Sequence, residues 1–225
     1  MANRFTGSIS TLRGVRRKER EKDISMGMYV TLNAVSDSNI NAILDTPELI
    51  GGIIFKEEPD IFWETPQPEK LSFLSKLLGK KPLPVERVER PKLVLTELEQ
   101  NEIDLDKAWH GIHYCLTQDI GEGSHPLGFI LYGGRLAGDL DVGYGPARLF
   151  TSAETAELNL LLQKVSSDDL KANYEPEKMN DVYPSVIWSR TDEDNFEYIN
   201  ENFAELKKFV TECVRDKLGM TICII

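Results

Sequence analysis

The side chains best placed to do chemistry lie in residues 103–117, where Asp106, His110 and His113 stand at i, i+4 and i+7. On a helix that spacing sets three potential metal ligands along one side. It differs from H-E-x-x-H, and His113 falls beside Trp109 and Leu116 at the edge of an apolar stripe. The competing reading is therefore a helix cap plus a core histidine bonded to a carbonyl, with no metal and no cofactor. His113 and Cys115 cannot form a thiol and base pair within this helix, because positions two apart point about 200° away from each other. No G-x-S-x-G elbow occurs. The run G-G-R-L-A-G is not a phosphate loop, since Gly138 is followed by Asp139 and Leu140 instead of a Lys-Ser or Lys-Thr pair.

A second stretch, residues 133–148, places Arg135, Asp139, Asp141, Tyr144 and Arg148 on a backbone with glycines at 133, 134, 138, 143 and 145. Such a loop can line a cleft and present N–H groups to an anion. In a catalytic reading His113 is the acid or base, Arg148 holds an anionic substrate, and Tyr144 or Tyr183 is an auxiliary donor. Asp106, Trp109, Arg135, Asp139, Asp141 and Tyr183 are the accompanying binding positions. The plainer reading of the loop is a wide turn whose glycines meet torsional needs and whose Arg148 pairs with a nearby acid.

The elements that must position these residues follow from periodicity. Leu105, Ala108, Trp109, Ile112 and Leu116 recur at helical spacing, opened by Asp104 or Asp106 and ending within residues 117–123. Before it, residues 28–35 alternate Val30, Leu32 and Ala34 against Tyr29, Thr31 and Asn33, a strand with two unlike faces. Ser36 and Asp37 start a helix carrying Ile40, Ile43 and Leu44, Thr46 with Pro47 starts a second, and Gly51-Gly52 weakens or ends it. After the central helix, residues 129–132 read as a buried strand, 147–150 as a brief strand, and Thr151 to Glu154 as a capping box. The helix that follows runs through Ala156, Leu160, Leu161 and Gln163, and Ser166 to Asp169 caps a shorter one. Residues 182–189 are strand-like, with Pro184 favouring an edge. Thr191 and Asp192 to Asp194 open the longest helix, with Phe196, Ile199, Phe203, Leu206, Val210, Cys213 and Leu218 on its buried side. Gly219 is its expected left-handed stop, and residues 220–225 form a closing strand.

The class this order implies is a single α+β domain, with helices packed on a mixed or antiparallel sheet. Residues 1–25 lack apolar periodicity and read as a flexible basic leader, so the domain spans 26–225. Within it, residues 57–100 hold six of the eleven prolines and form an insertion, with a short helical face at 71–78 and a mobile loop at 79–90.

Charge narrows function further. The chain of 225 residues carries a net −11. The first 25 residues hold seven Arg or Lys and three Asp or Glu, which leaves −15 on the other 200. Such a body repels phosphate backbones and leaves a basic protein partner electrostatically favoured. Three cysteines without C-x-x-C pairing read as reduced thiols in a cytosol. No apolar run is long enough for a bilayer, so a membrane is not an expected partner, and the acidic charge makes nucleic acid an unexpected one as well.

Several of these residues also carry a resemblance. The M-G-M of Met26 to Met28, L-D-x-x-W-x-x-x-H-x-x-L-T with Asp106, Trp109, His113 and Thr117, G-Y-G-P-A-R from Gly143 to Arg148, and Tyr183-Pro184 resemble the YfbM-like family of uncharacterised bacterial proteins. The resemblance implies a small bacterial α+β domain and brings no catalytic residues with it. Two functions are carried forward. The first is a cytoplasmic binding domain for a basic protein partner, in the manner of immunity proteins that neutralise toxins. The second is a small enzyme acting on an anionic substrate between the central helix and the glycine-rich loop.

Overall fold

The computed structural model describes residues 27–56, 59–64, 89–121, 123–188, 190 and 194–225. The leader, the helical face at 71–78 and all but the last two residues of the loop at 79–90 lie outside the described residues. The backbone is organised around β1 (Val30–Val35), whose alternating apolar side chains give the sheet its inner face. β1 pairs antiparallel with β2 (Glu102–Asp104) on one side and with β5 (Gly219–Ile224) on the other. β4 (Arg148–Phe150) joins β5, and β3 (Arg135–Leu136) joins β4, which gives the order β2-β1-β5-β4-β3 with every pairing antiparallel.

Helices α1 (Asp37–Asp45) and α2 (Gly51–Ile54) follow β1, and α3 (Trp109–Thr117) follows β2. α4 (Ser152–Leu162), α5 (Ser167–Asn173), α6 (Ser185–Trp188) and α7 (Asn195–Arg215) lie between β4 and β5. One face of the sheet buries Val30, Leu32, Ala34, Met220 and Ile222 under α3, α4 and α7. The other buries Val35, Leu149 and Cys223 under Ile40, Ile43, Ile50 and Ile53. The domain is α+β, with helical segments on both faces.

Local chemistry explains most element boundaries. The Ser36 hydroxyl accepts from the Asn39 amide to start α1. Both predicted capping boxes form, Thr151 with Glu154 on α4 and Ser166 with Asp169 on α5. Asp194 caps α7 by accepting from the Glu197 amide, while 191–193 lie outside the described residues. A 3-10 turn starting at Pro47 runs directly into α2, so Gly51 and Gly52 sit inside a helix and do not end one. A second 3-10 turn, Asp106–Ala108, leads into α3, with the Asp106 amide donating to Asp104 Oδ1 at 2.7 Å.

Three expectations are corrected. Residues 129–132 form a turn and not a strand, because the Leu131 and Tyr132 amides return to the Gly128 carbonyl. Residues 182–188 turn through a cis Tyr183-Pro184 bond into α6, and Ser189 lies outside the described residues. No ladder forms there, because side chains take the backbone groups: His110 accepts from the Tyr183 amide, and the Trp188 indole donates to the Val182 carbonyl. α4 runs through Ala156, Leu160 and Leu161 as expected and is capped at Gln163, burying Thr155, Leu158 and Leu162 and leaving Leu160 67% exposed. The left-handed residue after α7 is Lys217 (φ 57°), not Gly219. Gly219 instead starts β5 where a Cβ would strike the Phe150 carbonyl.

Candidate functional site

α3 is wholly buried from Trp109 to Leu116, so its two histidines must find partners inside the fold. They find them on consecutive backbone carbonyls. His110 Nε2 lies 2.8 Å from the Ile120 carbonyl and His113 Nε2 lies 3.2 Å from that of Gly121. Because a carbonyl only accepts, both nitrogens carry the proton. His110 is then complete, since its bare Nδ1 accepts from the Tyr183 amide at 2.9 Å. His113 is not, for its Nδ1 is buried without a hydrogen-bond partner among the described residues.

The segment these histidines hold is tied from every side. The Thr117 hydroxyl donates to the His113 carbonyl and accepts from the Asp119 amide, and Asp119 accepts from the Gly121 amide. The Tyr132 hydroxyl donates to the His125 carbonyl. From β4, Arg148 is 8% exposed and donates to the carbonyls of Phe129, Ile130 and Tyr132. The structure therefore brings His113 and Arg148 to opposite ends of one segment, residues 119–132. The Tyr132 ring also meets His113 edge-on, with centroids 6.2 Å apart.

The electrostatics follow from this burial. Burial first, then the neighbouring His110 and Arg148, depress the His113 pKa to about 4 against the pull of Gly121 and Asp119. His110 is lowered as well, again by burial. Burial pushes the thiols of Cys115, Cys213 and Cys223 up to about 12, so none of the three is a thiolate near neutrality.

The remaining candidates are dispersed. Trp109 is buried, donates to the Met28 carbonyl, and stacks on His110 at 4.7 Å and on Tyr183 at 6.0 Å. Asp106 is exposed, has φ of 44°, and accepts from the Tyr198 hydroxyl at 2.7 Å. Asp141 accepts from the Gly143 and Gly145 amides, which closes the glycine loop on itself and holds its carboxyl below the usual range. Arg135, Asp139 and Tyr144 are exposed, Tyr144 by 57%. Among the described residues no group of three or more His, Cys, Asp or Glu could hold a metal ion, and no helix is long and apolar enough to cross a membrane.

Glu99 escapes the sequence reading. It is 3% exposed, and its carboxylate accepts from the amides of Ser36 and Thr96, the Thr96 hydroxyl and the Asn39 amide group. Burial raises its pKa, but those hydrogen bonds outweigh it and the net shift is downward. Thr96-x-x-Glu99 is a capping-box spacing and was the available signal.

The motifs that stand out in the sequence thus belong to an α+β scaffold in which polar side chains bind the chain's own backbone. The chain belongs to the family described as a domain of unknown function, DUF1877, whose model matches residues 26–223. Among solved structures it is similar to YfbM from Escherichia coli, a protein of unknown function, at 15% identity and a TM-score of 0.52. That similarity covers 88% of this chain and 99% of the other, and at this identity it bears on the fold alone. No curated protein matches the chain.

Proposed function

We propose that this is a cytoplasmic bacterial binding module that recognises a basic protein partner through its acidic surface, in the manner of an immunity protein. The observation that carries the reading is the charge of −15 on residues 26–225, obtained by removing the +4 of the first 25 residues from the total of −11. One acidic face has a defined geometry. Tyr198 of α7 holds Asp106 in place, Asp194 and Glu201 stand one helical turn to either side of it, and all three acids are exposed. Opposite charge on a partner would steer association there, with a rate that falls as salt rises. The inward commitment of His110, His113 and Arg148 supports the same reading, because those groups already serve the fold.

Affinity capture from lysate at low salt tests it. The expected result is a basic protein retained by the parent chain, released by added salt, and lost when Asp106 and Glu201 are both replaced by Lys. Retention of nothing above background, or capture that ignores the two replacements, overturns the proposal. A second reading, an enzyme acting on an anionic substrate, draws on the unpartnered Nδ1 of His113 and the nearby charge of Arg148. Titration with inorganic phosphate should then move the His113 ring nitrogen resonances, and unmoved resonances dispose of it.

A further inference from the structure

Away from α3, a cavity of about 200 Å³ opens between α2 and residues 91–95. Leu49, Leu93 and Leu95 form its apolar lining, with the indole of Trp63 beside them. The two glycines of α2 stand differently toward their surroundings. A Cβ on Gly51 would lie 2.6 Å from the Pro59 carbonyl oxygen, so close packing demands glycine there. A Cβ on Gly52 would meet nothing nearer than Leu93 Cδ1 at 4.0 Å. Glycine inside a helix is unfavourable relative to alanine, and at position 52 neither torsion nor crowding requires it. Gly52 instead borders the open space of the cavity.

The charges around the opening then select what could fill it. Arg90 lies over the Trp63 ring at 5.6 Å and within 3.9 Å of Asp60, so these two charges offset each other. Lys56 pairs with Glu102 at 2.8 Å. Lys92 is exposed and makes no ion pair among the described residues. The uncompensated charge at the described rim is positive, above an apolar floor.

We propose that this cavity binds a small carboxylate with an apolar tail, the tail lying over Gly52 between Leu93 and Trp63 and the carboxylate meeting Lys92. The volume is below the ~300 Å³ at which drug-sized pockets begin, which fits a ligand of few heavy atoms.

The test is NMR titration of the full chain with hexanoate and, separately, hexylammonium. The readout is the Trp63 indole N–H, assigned through Trp63→Phe. Hexanoate should give a saturable shift in the millimolar range expected of so small a ligand, and hexylammonium should give none. Lys92→Glu, an exposed change, should weaken hexanoate roughly tenfold. Gly52→Leu should abolish the shift while the thermal midpoint holds or rises. The proposal is overturned by the absence of a saturable shift, by hexylammonium binding as well as hexanoate, or by Gly52→Leu binding as tightly as the parent.

Discussion

The α3 side of the sheet and the α2 side handle polar groups in opposite ways. Around α3, two histidines and an arginine are buried, and the Nε2 of each histidine and the guanidinium reach carbonyls of one irregular segment. Around α2 the buried side chains of Ile50 and Ile53 join an apolar cluster, and the charged groups Lys56, Asp60 and Lys92 line a cavity. The comparison separates residues that look chemical in sequence from residues that are reachable in space. Histidines and arginine attract attention because they can ionise. Here burial removes that option from His113, while a plain glycine borders open space.

The largest expected effect comes from cutting the α3 clamp at its far end. Arg148→Met leaves three carbonyls of residues 129–132 without their donor, and buried unsatisfied groups cost about 1–3 kcal/mol each before relaxation. Urea unfolding should show a loss of about 3–5 kcal/mol. A loss under ~1 kcal/mol would mean that the segment holds without the guanidinium.

The next effect is a pH dependence. The folded pKa of His113, about 4, lies below the unfolded reference of 6.5, so the unfolded state binds the extra proton in between. Stability should therefore be complete above pH ~6.5 and fall as pH drops toward 4, by up to about 3 kcal/mol from this group. His110, shifted in the same direction, adds to the slope. Denaturant midpoints measured across that window should flatten in His113→Gln. An unchanged slope in that variant would assign the acid sensitivity to other groups.

On the α2 side the effects are smaller and differ in sign. Gly51→Ala drives a Cβ toward the Pro59 carbonyl and should destabilise by about 1–2 kcal/mol. Gly52→Ala enters open space and should stabilise by roughly 0.5–1 kcal/mol. Thermal melts of the pair sharpen the contrast, and equal effects would erase it.

These residues also show where the fold could be read in advance. β1, β5, α3, both capping boxes and the start of α7 follow local rules, of period two, period 3.6 or side-chain oxygens at N-caps, and each stands where those rules put it. Reading failed where side chains distant in sequence claimed the backbone. Arg148, 16 to 19 residues away, takes the carbonyls of Phe129, Ile130 and Tyr132, and His110 takes the Tyr183 amide from 73 residues away, so neither apolar run could enter a ladder. Of the candidate site, the sequence indicated that His113 borders an apolar stripe. It held no sign that His113 and Arg148 would grip one segment, because the loop joining their roles has no period. The cavity was illegible for a different reason, since Gly52 shows as a helix breaker in sequence and as an empty space only in three dimensions.

The claim on which the rest depends is that His113 is a neutral, Nε2-protonated clamp sealed in the core. Long-range 1H–15N correlation spectra of the imidazoles from pH 7 down to 4 test it most directly. His113 should appear as a single neutral Nε2–H tautomer that begins to titrate only near pH 4. A His113 ring that titrates near 6.5, or that holds its proton on Nδ1, would contradict it.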